Sequence, residues 1–106
     1  MYTAEYARTG FQGGLQQYRC VFDAKLNAEL RLFSARTIDV PSAFISGKSD
    51  WGVYQTPGAF EAMKNKACTR LVDVHLVEGA GHWVQQEQPQ TFNERLLRFL
   101  REQPRA

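Results

Sequence analysis

Cysteine is scarce in this sequence, and the two that occur, Cys20 and Cys68, have neither the paired spacing of a zinc site nor that of a redox motif. They are expected to be free, buried or half-buried thiols in a reducing cytoplasm rather than a disulfide. Charge of one sign is also lacking. The net charge is +2, and the basic residues alternate with acids, which excludes the cationic face of a nucleic-acid or anionic-membrane binder. No apolar run approaches the ~18 residues a membrane span needs. The start, Met1-Tyr2-Thr3-Ala4-Glu5, has neither the basic flank nor the apolar core of a signal peptide. No repeat, low-complexity tract or linker is visible. These absences together predict a soluble cytoplasmic protein.

What is present suits one small packed unit: 106 residues, of which 43% are hydrophobic and 12% aromatic. Thr3 to Arg8 reads as a short helix with Thr3 as its N-cap, broken by the glycines of Thr9 to Gly14. From Leu15 to Phe33 the apolar residues Leu15, Tyr18, Phe22, Leu26, Leu30 and Phe33 recur at spacings of three and four, which predicts one long helix. Pro41 ends helical tendency ahead of it. Ala43-Phe44-Ile45-Ser46 reads as a strand buried on both faces, and Gly47 to Gly58 as a loop. A helix is predicted over Pro57 to Lys66, with Pro57 in its first turn. Val72, Val74 and Leu76 alternate with Asp73 and His75, a strand whose second face is more polar. The closing helix starts near Pro89 and carries Phe92, Leu96, Leu97, Phe99 and Leu100, with Glu94 and Arg98 paired outside. Gln103 to Ala106 reads as a frayed tail.

The order strand, helix, strand makes two parallel neighbours. A right-handed crossover brings both strand C-termini to one edge, so Asp50 and His82 are expected side by side. Taken alone, Asp50 is a turn residue bonding its own backbone, and His82 is a surface-loop histidine beside a packing Trp83. The pair points elsewhere. An imidazole exchanges protons near neutral pH, and a carboxylate on its other nitrogen fixes tautomer and orientation. His75, in mid-strand, reads as structural or solvent-facing.

Val40-Pro41 to Asp50-Trp51, Gly81-His82-Trp83 and the closing amphipathic helix resemble the C-terminal end of an α/β-hydrolase, in which the acid and then the histidine follow the nucleophile in chain order. Upstream, Thr9-Gly10-Phe11-Gln12-Gly13-Gly14-Leu15-Gln16-Gln17-Tyr18-Arg19 resembles the end of the lid in soluble epoxide hydrolases and their haloacid and haloalkane dehalogenase-like relatives. The resemblance implies an α/β fold with the end of a helical lid over residues 1–36. A core segment over 37–106 follows, running strand, helix, strand, helix with two parallel strands. It implies that Asp50 orients the catalytic base His82, and that Tyr18 donates a hydrogen bond to an opening epoxide oxygen. Trp51 and Trp83 either wall an apolar substrate pocket or belong to the core. No metal or cofactor is implied. Gln17 departs from the family, which usually has Trp before the Tyr-Arg pair.

The family's nucleophile frame, Gly-x-Asp-x-Ser/Gly, is missing, since Asp23, Asp39, Asp50 and Asp73 all lack it. Gly47-Lys48-Ser49 begins a Gly-x-Ser-x-Gly, but Trp51 stands where its second Gly belongs. The His-Gly-x-Pro type oxyanion loop is absent too. The sequence therefore matches roughly the last third of such a hydrolase, with Asp50, His82 and Tyr18 but no nucleophile, and is expected to be inactive alone. Its expected partner is a second copy, most simply in a dimer, or a complementing N-terminal hydrolase segment with a small apolar epoxide-type substrate. The other readings are a truncated, non-catalytic, self-associating protein, or part of a dehalogenase or esterase.

Overall fold

In the computed structural model, which describes residues 2–103, the chain divides into two units, 1–35 and 36–106. The expected tail falls mostly outside the described residues.

The first unit is helical. Helix α1 spans Tyr2–Thr9, so Thr3 lies inside it rather than at its cap. Gly10, at φ +69, makes the break in the left-handed region that only glycine enters without strain. Tyr6 and Phe11 stack across it with ring centroids 4.5 Å apart. Helix α2 then spans Gln12–Phe22 and absorbs Gly13 and Gly14, so a single glycine suffices for the turn. The predicted long helix over Leu15 to Phe33 is not one helix. It stops at Asp23, whose carboxylate accepts the N–H of Lys25 at 2.8 Å and of Leu26 at 3.3 Å. The Asn27 amide donates back to the Val21 carbonyl. Asp and Asn offer the backbone these partners in place of helical ones, and a 3₁₀ turn over Ala28–Phe33 replaces the predicted continuation. The stripe residues Leu15, Tyr18, Phe22, Leu26, Leu30 and Phe33 are all exposed.

The second unit holds a sheet of two parallel strands, β1 (Ser42–Gly47) and β2 (Leu71–Val77). Phe44 faces Val74, and Gly47 faces Val77, with a register shift between Ser42 and Ala43. An isolated bridge from Ile38 to Cys68 extends the pairing upstream. Between the strands run two short helices, α3 (Trp51–Tyr54) and α4 (Ala59–Ala62), and a π-helical turn over Met63–Ala67. Pro57 does not open the crossover helix. Gly58, at φ +80, stands between it and Ala59. After β2 come α5 (Val84–Glu87) and α6 (Pro89–Glu102), with Pro89 in the first turn of α6.

The core is small: Val77, Ala80 and Val84 are buried, with Ile45 and Phe92 packed against them. Phe44, on the other face, meets Phe60 at 5.4 Å between centroids. The strand β1 is thus half-buried rather than buried on both faces. The alternation of β2 is inverted relative to expectation, with Val72 and Val74 exposed and Asp73 and His75 partly buried. Asp73 is on the face that α6 covers, where it accepts from Arg98 at 3.2 Å. Arg98 therefore pairs with Asp73 and not with Glu94. Most of the apolar face of α6, including Leu96, Leu97 and Leu100, stays exposed.

Candidate functional site

Asp50 sits three residues past the end of β1, at the N-cap of α3. Its carboxylate Oδ1 accepts the Gly52 N–H at 2.8 Å, the local bond expected of an N-cap aspartate. The same oxygen lies 3.1 Å from His82 Nδ1, and Oδ2 accepts the Ser46 hydroxyl at 3.1 Å. Ser46 and Asp50 are both buried, and neither is left unsatisfied. Burial is the strongest single influence on the Asp50 carboxyl and pushes its pKa up. The bonds from Gly52, His82 and Ser46, with the His82 charge, together outweigh burial and hold it below the ordinary carboxylate range. Asp50 is thus a fixed anion at neutral pH.

An ionised carboxylate only accepts, so the imidazole nitrogen that faces it carries the hydrogen. That fixes the tautomer of neutral His82 and leaves Nε2 with its lone pair available. Among the described residues Nε2 has no hydrogen-bond partner. The ring is also held by aromatic contacts. Trp51 stacks on it at 5.9 Å and 21°, and Trp83 meets it edge-on at 5.3 Å and 76°. Both tryptophans are themselves more than half exposed. Both are in direct contact with the base, one on its face and one edge-on.

Two turns carry these residues, and the backbone stitches them together. Lys48 N–H donates to the Val77 carbonyl at 2.9 Å, and Ser49 N–H to the Ala80 carbonyl at 3.0 Å. Lys48 and Glu78 add an exposed ion pair across the same gap, which raises the Lys48 pKa. Gly79, at φ +69, turns the chain out of β2. Glu87 is a residue that the sequence reading passed over. Its carboxylate accepts the N–H of Gly81 at 2.8 Å and of Trp83 at 2.9 Å. Spacing was the available signal, because residue 87 stands one helical turn beyond Trp83.

Tyr18 lies on α2 in the first unit, with its ring exposed and no hydrogen bond to its hydroxyl among the described residues. His75 is partly buried in β2, where it faces Ile45. No group of three or more His, Cys, Asp or Glu is placed to hold a metal ion among the described residues. Nor is any described helix long and apolar enough to cross a membrane. Cys20 and Cys68 are unbonded to each other.

No protein-family model matches the chain. Among characterised proteins it is 41% identical over 101 residues to epoxide hydrolase A of Mycobacterium tuberculosis, covering 93% of this chain and 29% of that protein. Epoxide hydrolase 3 of Siraitia grosvenorii is 38% identical over 104 residues, covering 93% of this chain and 32% of its own length. Among solved structures, potato (Solanum tuberosum) epoxide hydrolase I superposes with a TM-score of 0.78 at 33% identity, over 96% of this chain and 32% of that one. The chain therefore spans about a third of the length of the relatives it matches.

Proposed function

The chain is a C-terminal portion of an α/β-hydrolase of the epoxide hydrolase group, and from that premise we propose that it supplies the acid–base half of an epoxide-opening site. The observation that carries this reading is the 3.1 Å contact between Asp50 Oδ1 and His82 Nδ1 at the ends of two neighbouring parallel strands. In it, a carboxylate nucleophile from a complementing N-terminal segment attacks an epoxide carbon. A C–O ester bond forms, the ring C–O bond breaks, and the released alkoxide accepts a hydrogen bond from the Tyr18 hydroxyl. His82 Nε2 then takes a proton from water, which attacks the ester carbonyl. The ester C–O bond breaks, the proton held on His82 and the second proton of the water pass to the two diol oxygens, and the carboxylate is regenerated as the diol leaves. Asp50 holds the imidazole and stabilises its positive charge meanwhile.

Trp51 and Trp83 flank the base and give the substrate side an apolar wall. Alone, the chain has neither nucleophile nor oxyanion donors, groups that act as one unit with the base, and so performs no epoxide hydrolysis. Its partner is that complementing segment, and in the segment's absence a second copy. The site uses no cofactor, and the free thiols fit a reducing cytoplasm.

The test is to incubate the pure chain with a styrene-type epoxide, with and without a co-expressed segment carrying Gly-x-Asp-x-Ser. Diol should form only with the segment present. Turnover by the chain alone that disappears in His82→Ala would overturn the inactivity, and no turnover from a stable complex would overturn the epoxide reading.

A further inference from the structure

We propose that Glu87 is a positioning residue for His82, acting through the backbone of the turn that carries the imidazole; this rests on the reading of His82 as the base. The Glu87 carboxylate straddles that turn. Oε2 accepts the N–H of Gly81 at 2.8 Å and Oε1 the N–H of Trp83 at 2.9 Å. These are the N–H groups of the residues immediately before and after His82, so one side chain grips the turn on both sides of the histidine. The His82 side chain is left free to bond Asp50.

Three features make this a built arrangement. Glu87 closes α5, whose first residue, Val84, is buried in the core beside Val77 and Ala80, so the clamp is tied to packed apolar side chains. Both oxygens are used, and bonds from N–H groups to an ionised carboxylate are the stronger class. Ala80 is held by the core and by the Ser49 N–H, but beyond it the Gly81 and Trp83 N–H groups have Glu87 as their partner among the described residues, and the His82 side chain is 54% exposed. A flexible turn would let the imidazole leave Asp50. Glu87 restricts that motion without touching the imidazole.

Geometry also orders the substitutions. Gln keeps one acceptor oxygen and so can hold one of the two N–H groups. Ala holds neither. A role confined to general stability would treat His82 like any other residue, and the experiment separates these cases on the intact chain without substrate. NMR of ¹⁵N-labelled protein reads the His82 Nδ1–H resonance and the amide exchange of Gly81 and Trp83. In Glu87→Ala, both amides should exchange about tenfold faster, the scale of one charge-assisted hydrogen bond, and the Nδ1–H signal should broaden or vanish. Glu87→Gln should fall between. Arg98→Ala, which removes the surface pair with Asp73, serves as the control and should leave all three signals in place.

Unchanged signals in Glu87→Ala would overturn the proposal. So would an equal response to Arg98→Ala. The failure of the catalytic reading is separately visible: ester hydrolysis persisting in a complemented His82→Ala enzyme would remove the base and leave the clamp intact.

Discussion

Gly47 lies flush against the backbone of Gly81: a β-carbon at position 47 would stand 2.2 Å from the Gly81 carbonyl oxygen and 2.3 Å from that of Ala80. The turn carrying Asp50 and the turn carrying His82 therefore meet main chain to main chain. No side chain stands between them to give way.

Gly47→Ala should consequently force the two turns apart. Overpacking a tight contact costs about 1–3 kcal/mol or more, and a backbone neighbour cannot rotate aside as a side chain can. Urea unfolding should show at least that loss, and the His82 Nδ1–H signal should disappear with it. A variant of unchanged stability would mean that the turns are looser than their spacing indicates.

Acid should weaken the fold through Asp50. Its carboxyl titrates below the ordinary range when folded, against about 3.9 when unfolded, so the unfolded chain takes up its proton first as the pH falls. The contribution is complete well above about pH 4 and is lost as the pH drops through the folded value. Exposed Asp39, held low chiefly by the Thr69 hydroxyl and then by Thr37, shifts in the same direction. Asp50→Asn should lower stability at neutral pH by about 1–3 kcal/mol, because buried bonds to a charge are lost. Its acid limb should be shallower. Parallel melting curves for the two proteins between pH 3 and 7 would contradict this.

In a complemented enzyme, His82→Ala and Tyr18→Phe should fail at different steps. Loss of a general base typically slows its step by about 10² to 10⁴, so His82→Ala should accumulate the covalent ester. Tyr18→Phe should slow ester formation instead. Mass spectrometry of the quenched complex reads the adduct directly, and equal adduct in His82→Ala and the unsubstituted complex would show that another group activates water.

Without such a segment, the chain should self-associate. Among the described residues both edges of the two-stranded sheet are unpaired, and Val72, Val74, Leu97 and Leu100 of the second unit are exposed. Burying each such side chain contributes about 1.5–3 kcal/mol, a large share of a small domain's stability. Light scattering at micromolar concentration should give a mass above the 12.1 kDa of one chain, most simply that of a dimer. A monomer whose melting does not depend on concentration is the outcome that counts against it.

Much of the second unit was legible because its signals are local. The apolar runs that end at Gly47 and Gly79 mark strands, and they carry Asp50 and His82 to one sheet edge. The faces of β2 were not legible. Val72 and Val74 look like core residues by pattern, yet α6 covers the other face, where Asp73 meets Arg98. Which face a helix covers is a tertiary fact, and a period of two reads the same from either side. The stripe from Leu15 to Phe33 misled for another reason. Its spacing is helical throughout, but the Asp23 carboxylate competes for backbone N–H groups and ends α2 there. Glu87 escaped notice because a glutamate in a polar stretch stands out only by its spacing, one helical turn beyond Trp83.

The stacking of Trp51 on His82 makes the site its own optical probe. At 5.9 Å the indole face senses whether the imidazole is neutral or cationic, since a positive charge over an aromatic face interacts with its π-electrons. Tryptophan emission should therefore report on this contact, and any ligand that parts the two rings should change the fluorescence without an added label.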